Sequence, residues 1–431
     1  MFGIMFWVVM YTMDNRVYLC IDLKTFYASV ECVERGLDPF KTDLIVADPD
    51  RKTGTICLAI SPKMKARGIK NRCRVWEIPR NIKPIIAKPR MKKYMEYSAR
   101  IYSIYLDYID KNDIHVYSID EAFLDITTYL TLYKTTPLEL ANKIMKSIYE
   151  KTGITATAGI GTNLYLTKIA LDITAKHVKS NIGYLDEEKY KKELWHHTPL
   201  TDFWQIGTGI AKRLQKLNIN DMYDIAHTDE NILYKEFGIN AKFLIDHSKG
   251  IEPCTMADIK KYKPKSNCIS NSQILFEDYN YINARKVLIE MIDYGTLQLV
   301  SKNLYTNVIG FSIGYSKDVI PPLKFSKKLC NMTNSFTTIM NSLIFEYDNR
   351  INKNTPIRRL SISFGGVGKR KVEQIDIFST HLIEETDNKI DNVINSLKTK
   401  FGSNSILRGI SYSEGATQRD RNKLVGGHNA E

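Results

Sequence analysis

Between Val17 and Ile160 the apolar residues switch between extended and helical spacing in an order that few folds accommodate. Val17 to Asp22 (VYLCID) is a β-branched and aromatic run ending in an acid, and Phe26 to Gly36 follows with a pattern compatible with a helix. Pro89 to Asp110 carries Met91, Tyr94, Met95, Ile101, Tyr102, Tyr105, Tyr108 and Ile109 at spacings of mostly three and four, which predicts a long amphipathic helix. His115 to Thr127 (HVYSIDEAFLDIT) reads as two paired strands with Asp120 and Glu121 at the turn between them. Pro137 to Lys151 is helical again, with Leu138, Ala141, Ile144, Met145 and Ile148 on one face and Gly153 as a stop, and Ile154 to Ile160 is a strand. Strand, helix, paired strands, helix, strand is the order of a ferredoxin-like β-α-β-β-α-β sheet, here with Glu34 to Lys88 inserted after the first helix. The expected fold class is therefore α+β, with a discontinuous first domain.

The rest of the 431 residues leaves room for two to four domains in all. Asp186 to Gly250 looks helical and polar, and a poorly patterned stretch from Cys254 to Asn271, with Lys260, Lys261, Lys263 and Lys265, reads as a linker. A second α+β unit runs to about Phe378, then Ile390, Val393, Ile394, Leu397 and Phe401 take helical spacing before Gly402 and a polar tail. Lys and Arg total 61 against 48 Asp and Glu, a net charge of +13, which points to a polyanionic partner, nucleic acid or a membrane surface. Seven cysteines without a C-x-x-C pair fit neither a disulfide framework nor a zinc site, so a reducing cytoplasmic compartment is expected. The apolar run Phe2 to Tyr11 falls well short of the ~20 residues that span a bilayer and lacks the flanks of an export signal. No membrane association is expected from it; Met10 and Met13 lie just before the first strand, so the expectation is either an internal translation start or an apolar arm packed on the body.

Three acids stand at predicted strand edges: Asp22, and the adjacent pair Asp120 and Glu121. Carboxylates grouped in this way repel one another unless cations lie between them, and hard oxygen ligands favour Mg²⁺ or Mn²⁺ over zinc. A two-metal phosphoryl-transfer site is one interpretation. The other is that Asp22 caps the helix beginning near Thr25 while Asp120 and Glu121 are solvated turn residues.

The segments around these acids, Asp22-Leu23-Lys24-Thr25-Phe26-Tyr27-Ala28-Ser29 and Tyr117-Ser118-Ile119-Asp120-Glu121-Ala122-Phe123-Leu124-Asp125, closely resemble the two catalytic motifs of the Y-family (UmuC/DinB-type) translesion DNA polymerases. Ile154 to Ala175 also resembles the family, the likeness runs from about Val17 to the C-terminus, and it is strongest toward the UvrX-like branch of Gram-positive bacteria and their mobile elements. The resemblance implies a right-hand polymerase: residues 1–33 and 89–185 as palm, 34–88 as small fingers, 186–253 as helical thumb, 254–271 as basic linker, 272–378 as little finger and 379–431 as a C-terminal extension. Its implied activity is low-fidelity, template-directed addition of deoxynucleotides to a primer 3′-OH, with primer-template DNA and deoxynucleoside triphosphates as partners. Asp22, Asp120, Glu121 and the Leu23 carbonyl would then hold two Mg²⁺ ions, with Mn²⁺ as a substitute.

Phe26 and Tyr27 match the nucleotide-binding aromatic positions, Tyr27 as the gate that leaves no room for a ribose hydroxyl, and Lys65 and Lys176 match basic positions that hold the triphosphate. Where many relatives present a Tyr and an Arg three residues apart, this chain has Pro62 and Lys65, so a hydroxyl contact is lost and a bidentate fork becomes a point charge. Trp204 to Leu214 resembles a helix-hairpin-helix, with Gly207 and Gly209 at the turn, Lys212 and Arg213 beside it, and Gln205 where a glycine is common. Gln374-Ile375-Asp376-Ile377-Phe378 resembles the peptide by which bacterial polymerases bind the sliding clamp. A catalytically silent DNA-binding or clamp-binding accessory protein is the alternative, and the presence of all three acids argues against it. Because phosphate contacts release counterions, a filter-binding titration from about 50 to about 200 mM salt should show DNA affinity falling about 10³-fold or more, and a flat response would contradict it.

Overall fold

The computed structural model describes residues 16–51, 54–264, 267–370 and 381–431, in two compact units that divide between Tyr262 and Lys263. The first unit opens with β1 (Tyr18–Leu23) and α1 (Phe26–Val33). The insertion after them holds β2 (Leu44–Val46), β3 (Ala59–Ile60), α2 (Pro62–Ala66) and β4 (Ile85–Ala87), a three-stranded sheet of order β3-β2-β4. Then come α3 (Met91–Leu106), β5 (Ile114–Val116), β6 (Glu121–Asp125), α4 (Thr127–Tyr133), α5 (Pro137–Thr152), β7 (Ala156–Gly161), α6 (Leu164–Ile169) and β8 (Ile182–Leu185). The five-stranded sheet has order β5-β6-β1-β7-β8, with β1 antiparallel to both neighbours and β8 parallel to β7. Its first four strands follow the β-α-β-β-α-β order, and β8 adds an edge.

Local chemistry explains the elements. Leu19, Cys20 and Ile21 have no exposed surface, as a central strand covered on both faces requires. α5 starts at Thr136, whose hydroxyl accepts from the Glu139 N–H while the Glu139 carboxylate accepts from the Thr136 N–H, with Pro137 in the first turn. It stops at Gly153, whose φ of 70° is the left-handed cap that glycine adopts freely. Its inward face is Leu140, Ala141, Ile144 and Ile148, while Leu138, expected on that face, is 51% exposed. α6 approaches β7 so closely that a Cβ on Gly159 would lie 2.3 Å from the Thr167 carbonyl oxygen.

The polar helical stretch forms α7 (Glu187–Leu194), α8 (Thr208–Lys216), α9 (Met222–His227), α10 (Glu230–Phe237) and α11 (Ala241–Ser248), packed around Leu214, Met222 and Leu233. The segment expected to be an unpatterned linker contains a further helix, α12 (Met256–Lys261), started by a Thr255–Asp258 capping box. Met256 is buried beside Tyr18, Cys20 and Phe123, and Lys260 Nζ donates to the carbonyls of Ile114 at 2.6 Å and Lys111 at 3.1 Å. The lysine charge that reads as linker composition is thus in part a helix docked on β5.

The second unit comprises β9 (Ile269–Tyr279), α13 (Tyr281–Ser301), β10 (Thr306–Tyr315), β11 (Leu323–Thr333), α14 (Phe336–Arg350) and β12 (Ile357–Gly365), with α15 (His381–Phe401) after them. The antiparallel sheet has order β11-β10-β12-β9, and Ile309, Phe311, Ile313, Leu360, Ile362 and Phe364 form its core with residues of α13 and α14. The polar tail is folded: it contains α16 (Gln418–Arg421), β13 (Leu424–Val425) and β14 (His428–Asn429). The backbone N–H groups of Thr417 and Gln418 donate to the buried Glu290 carboxylate of α13. Arg408 bonds Asp293, reaches Asp391 at 3.0 Å, and stacks its guanidinium 3.7 Å from the centre of the Phe336 ring. No helix among the described residues is long and apolar enough to cross a membrane.

Burial pushes the Asp391 carboxyl up to about 6, with Arg408 opposing that rise. Arg408→Ala should therefore destabilise the protein by about 3 kcal/mol at pH 8, because two buried carboxylates lose their cation. The loss should shrink at pH 5, where Asp391 is protonated, and denaturant melts at the two pH values check both statements.

Candidate active site

β1 and β6 place Asp22 and Glu121 directly opposite one another. The Leu23 N–H donates to the Asp120 carbonyl at 2.9 Å, so Asp22 and Glu121 form a non-hydrogen-bonded pair, the position at which facing side chains come closest. Two carboxylates in that register oppose pairing. Tyr117 and Ser118 N–H groups both donate to the Glu121 carbonyl, closing the tight turn that carries Asp120. The Ser118 hydroxyl donates to Asp120 Oδ1 at 2.6 Å and fixes that carboxylate in turn. Asp22 does not cap the following helix: Thr25 is the capping residue, with φ 45°, and no side chain completes the cap.

The cation that meets this charge is Lys168, which the sequence did not single out. Its ammonium lies 2.7 Å from Glu121 Oε1 and 3.1 Å from Asp172, and the residue is buried. Asp172 in turn holds Lys176 at 3.2 Å. The only sequence signal for this relay is the spacing Lys168, Asp172, Lys176, one turn apart along a helix that loosens into a π turn over Ala170–Thr174. Cys20 donates its thiol to the same Glu121 oxygen at 3.2 Å, and burial, with Glu121 second, holds that thiol well above its usual range.

Burial first, then the charges of Asp120 and Glu121, push the Asp22 carboxyl up to about 7, against the opposing pull of Lys176 and Lys168. Lys65 is an exposed residue, yet partial loss of solvent lowers its ammonium, with Asp22 opposing and Lys176 adding to the fall. Lys65, Lys176 and the three acids thus share one electrostatic neighbourhood although the chain separates them widely. Tyr27 is half-buried, with its ring 4.6 Å from that of Tyr94 and 5.7 Å from that of buried Phe26. Its hydroxyl is raised by burial and then by Asp120, with Arg72 opposing, which puts the ring on the carboxylate side of α1. Behind it, the Tyr94 hydroxyl donates to Glu31 at 2.8 Å, and Arg90 and Arg35 also bind this fully buried carboxylate.

The remaining candidates fare differently. Gly207 precedes α8 in extended conformation with no side chain over the helix start, and both Gly207 and Gly209 face open space. Lys212 is exposed, whereas Arg213 is engaged by Glu236 at 2.6 Å and lies 4.4 Å from the centre of the Phe237 ring, so its charge is already answered within the fold. Gln374 to Phe378 lie outside the described residues.

Among the described residues no three His, Cys, Asp or Glu side chains are gathered tightly enough to form a metal site as they stand, because Glu121 is turned onto Lys168. The donor chemistry nevertheless fits a divalent cation: hard oxygens on adjacent strand ends, and in Asp22 a carboxyl that burial and then its like-charged neighbours hold toward the protonated form. A raised folded-state value means that Asp22 favours the fold below the unfolded carboxylate range and loses that contribution as pH climbs through about 7. Asp22→Asn should therefore stabilise the metal-free protein by about 2 kcal/mol at pH 8 and by almost nothing at pH 4, measured by thermal melts in chelator.

Comparison with known proteins bears on the family and the fold. Residues 21–172 match the IMS: impB/mucB/samB family. A Bacillus subtilis (strain 168) chain named "Putative UV-damage repair protein UvrX" is 31% identical over 418 residues, covering 95% of this chain and 97% of its own. DNA polymerase IV 2 of the same organism is 27% identical, covering 96% and 99%. Among solved structures, the Y-family DNA polymerase chimera Dbh-Dpo4(243-245)-Dbh superposes with a TM-score of 0.64 at 23% identity, over 82% of this chain and all of its own, which bears on the fold. By its likeness along nearly the whole length of the UvrX chain, this protein belongs to the Y family (IMS/UmuC) of DNA polymerases.

Proposed function

We propose that the protein is a template-directed DNA polymerase of the low-fidelity translesion class, acting in DNA damage tolerance. The observation that carries this is the register of Asp22 against Glu121, with Asp120 at the adjoining turn, in a chain whose relatives include DNA polymerases IV. In this reading residues 16–33 and 89–185 act as palm, 34–88 as fingers, 186–253 as thumb and 272–378 as little finger.

Asp22, Asp120, Glu121 and the Leu23 carbonyl are the groups that would hold two Mg²⁺ ions. When bound, such ions lower the charge on a triphosphate and favour the ionised primer hydroxyl. The chain's own residues supply the rest. Lys65 and Lys176 provide positive charge for a triphosphate beside the acids. Tyr27, braced against Tyr94 and through it against Glu31, presents a ring that cannot easily yield to a ribose 2′-hydroxyl. Lys168 holds Glu121 and Ser118 holds Asp120 in their orientations. Gly207 before α8, Gly209 in its first turn and the exposed Lys212 suit contact with a DNA phosphate, which is indifferent to sequence. A sliding clamp as partner rests on Gln374 to Phe378 alone.

Primer extension on undamaged and abasic templates with Mg²⁺ and all four deoxynucleotides tests the proposal. Wild type should extend, and Asp120→Ala and Glu121→Ala should each lose at least about 10³-fold in rate, since several kcal/mol of charge stabilisation would go with each ligand. Tyr27→Ala should retain synthesis and accept ribonucleotides. An inactive wild type, even with a clamp loaded, would favour the accessory-protein alternative.

A further inference from the structure

Two cysteines in the inserted three-stranded region stand in a relation that the reaction does not use. Ile56 and Arg74 form an isolated antiparallel bridge, flanked by the Val75 N–H donating to the Thr55 carbonyl at 3.1 Å and the Cys57 N–H donating to the Cys73 carbonyl at 2.8 Å. This pattern makes Ile56 and Arg74 the non-hydrogen-bonded pair and sets Cys57 directly opposite Cys73 at the next position, where facing Cα atoms lie about 5.5 Å apart. That separation falls inside the range a disulfide spans without backbone movement. Alternation along the strands fixes the direction too: Ile56 and Arg74 are exposed, so Cys57 and Cys73 both point inward, and they are buried at 0% and 7% exposure. Both thiols are free, and they share a core with Ile45, Ile60, Met64, Ile78 and Ile82.

We propose that Cys57 and Cys73 are a dithiol pair that closes to a disulfide under oxidation by a low-molecular-weight disulfide. Cys73, the less deeply buried of the two at 7% exposure, attacks as its thiolate, forming a mixed disulfide and releasing one small thiolate, which takes up the proton Cys73 lost. Cys57 then attacks the Cys73 sulfur, the second small thiolate leaves, and the Cys57 proton passes to it. One small disulfide is reduced to two thiols while the protein pair is oxidised. Burial, and then the neighbouring Cys73, push the Cys57 thiol up to about 12, which keeps it protonated until the second step. The loop closed by the bond contains Lys65 and Arg72, so the crosslink would pin the segment that faces Asp22 and Tyr27.

The test uses the full chain, natively folded, incubated with oxidised glutathione, quenched by alkylation in denaturant and mapped by mass spectrometry. The expected result is a linked Cys57–Cys73 peptide pair, about 2 Da lighter than the two reduced peptides together, which disappears on reductant. Exposed Cys268 and Cys330 serve as internal controls for oxidant access, since they should carry glutathione. Full alkylation of Cys57 and Cys73 while the controls are modified would overturn the proposal, as would a stable glutathione adduct on Cys73 with Cys57 still free. The wild-type map decides the question, and Cys73→Ser should abolish the linked peptide.

Discussion

Two acids facing each other across the centre of a sheet impose most of what surrounds them. In the register of Asp22 against Glu121 the strands pair despite their charges, and cations must lie within a few ångströms for that to be tolerable. Lys168 is the answer built into the fold. It reaches Glu121 because α6 lies almost on the backbone of β7, and the glycines of that strand are what permit the approach. Gly159 therefore affects the electrostatics of Glu121 although it carries no charge.

Lys168 answers Glu121 directly, while burial and then the charges of Asp120 and Glu121 hold the Asp22 carboxyl up to about 7. A fold optimised for stability alone would not keep three such acids where two interior strands meet a turn. The arrangement makes sense where a further cation completes the charge balance.

The second unit solves a different problem. A four-stranded sheet with two helices leaves one side of α13 to be covered, and the polar tail contributes charges there as well as apolar contact from Ile410. Glu290 accepts from the backbone N–H groups at the start of α16, and Arg408 binds Asp293 and Asp391. Each acid is isolated in sequence from the group that satisfies it.

Much of the fold was legible because it rests on periodicity, and periodicity is local. The strand VYLCID, the capping pattern of α5 and the turn at Asp120 are carried by neighbouring residues, and all stand where the spacing put them. Where burial is decided by distant partners, the sequence misled: Leu138 faces solvent, the lysine-rich stretch after Cys254 holds a docked helix, and the tail is folded. The sequence by itself determined the order of the strands and helices of the first sheet and singled out Asp22, Asp120 and Glu121, because both are written in contiguous motifs. Only the tertiary structure decided that Lys168 neutralises Glu121, that Glu236 claims Arg213 and that Cys57 faces Cys73, because each depends on contacts between segments that are remote in the chain.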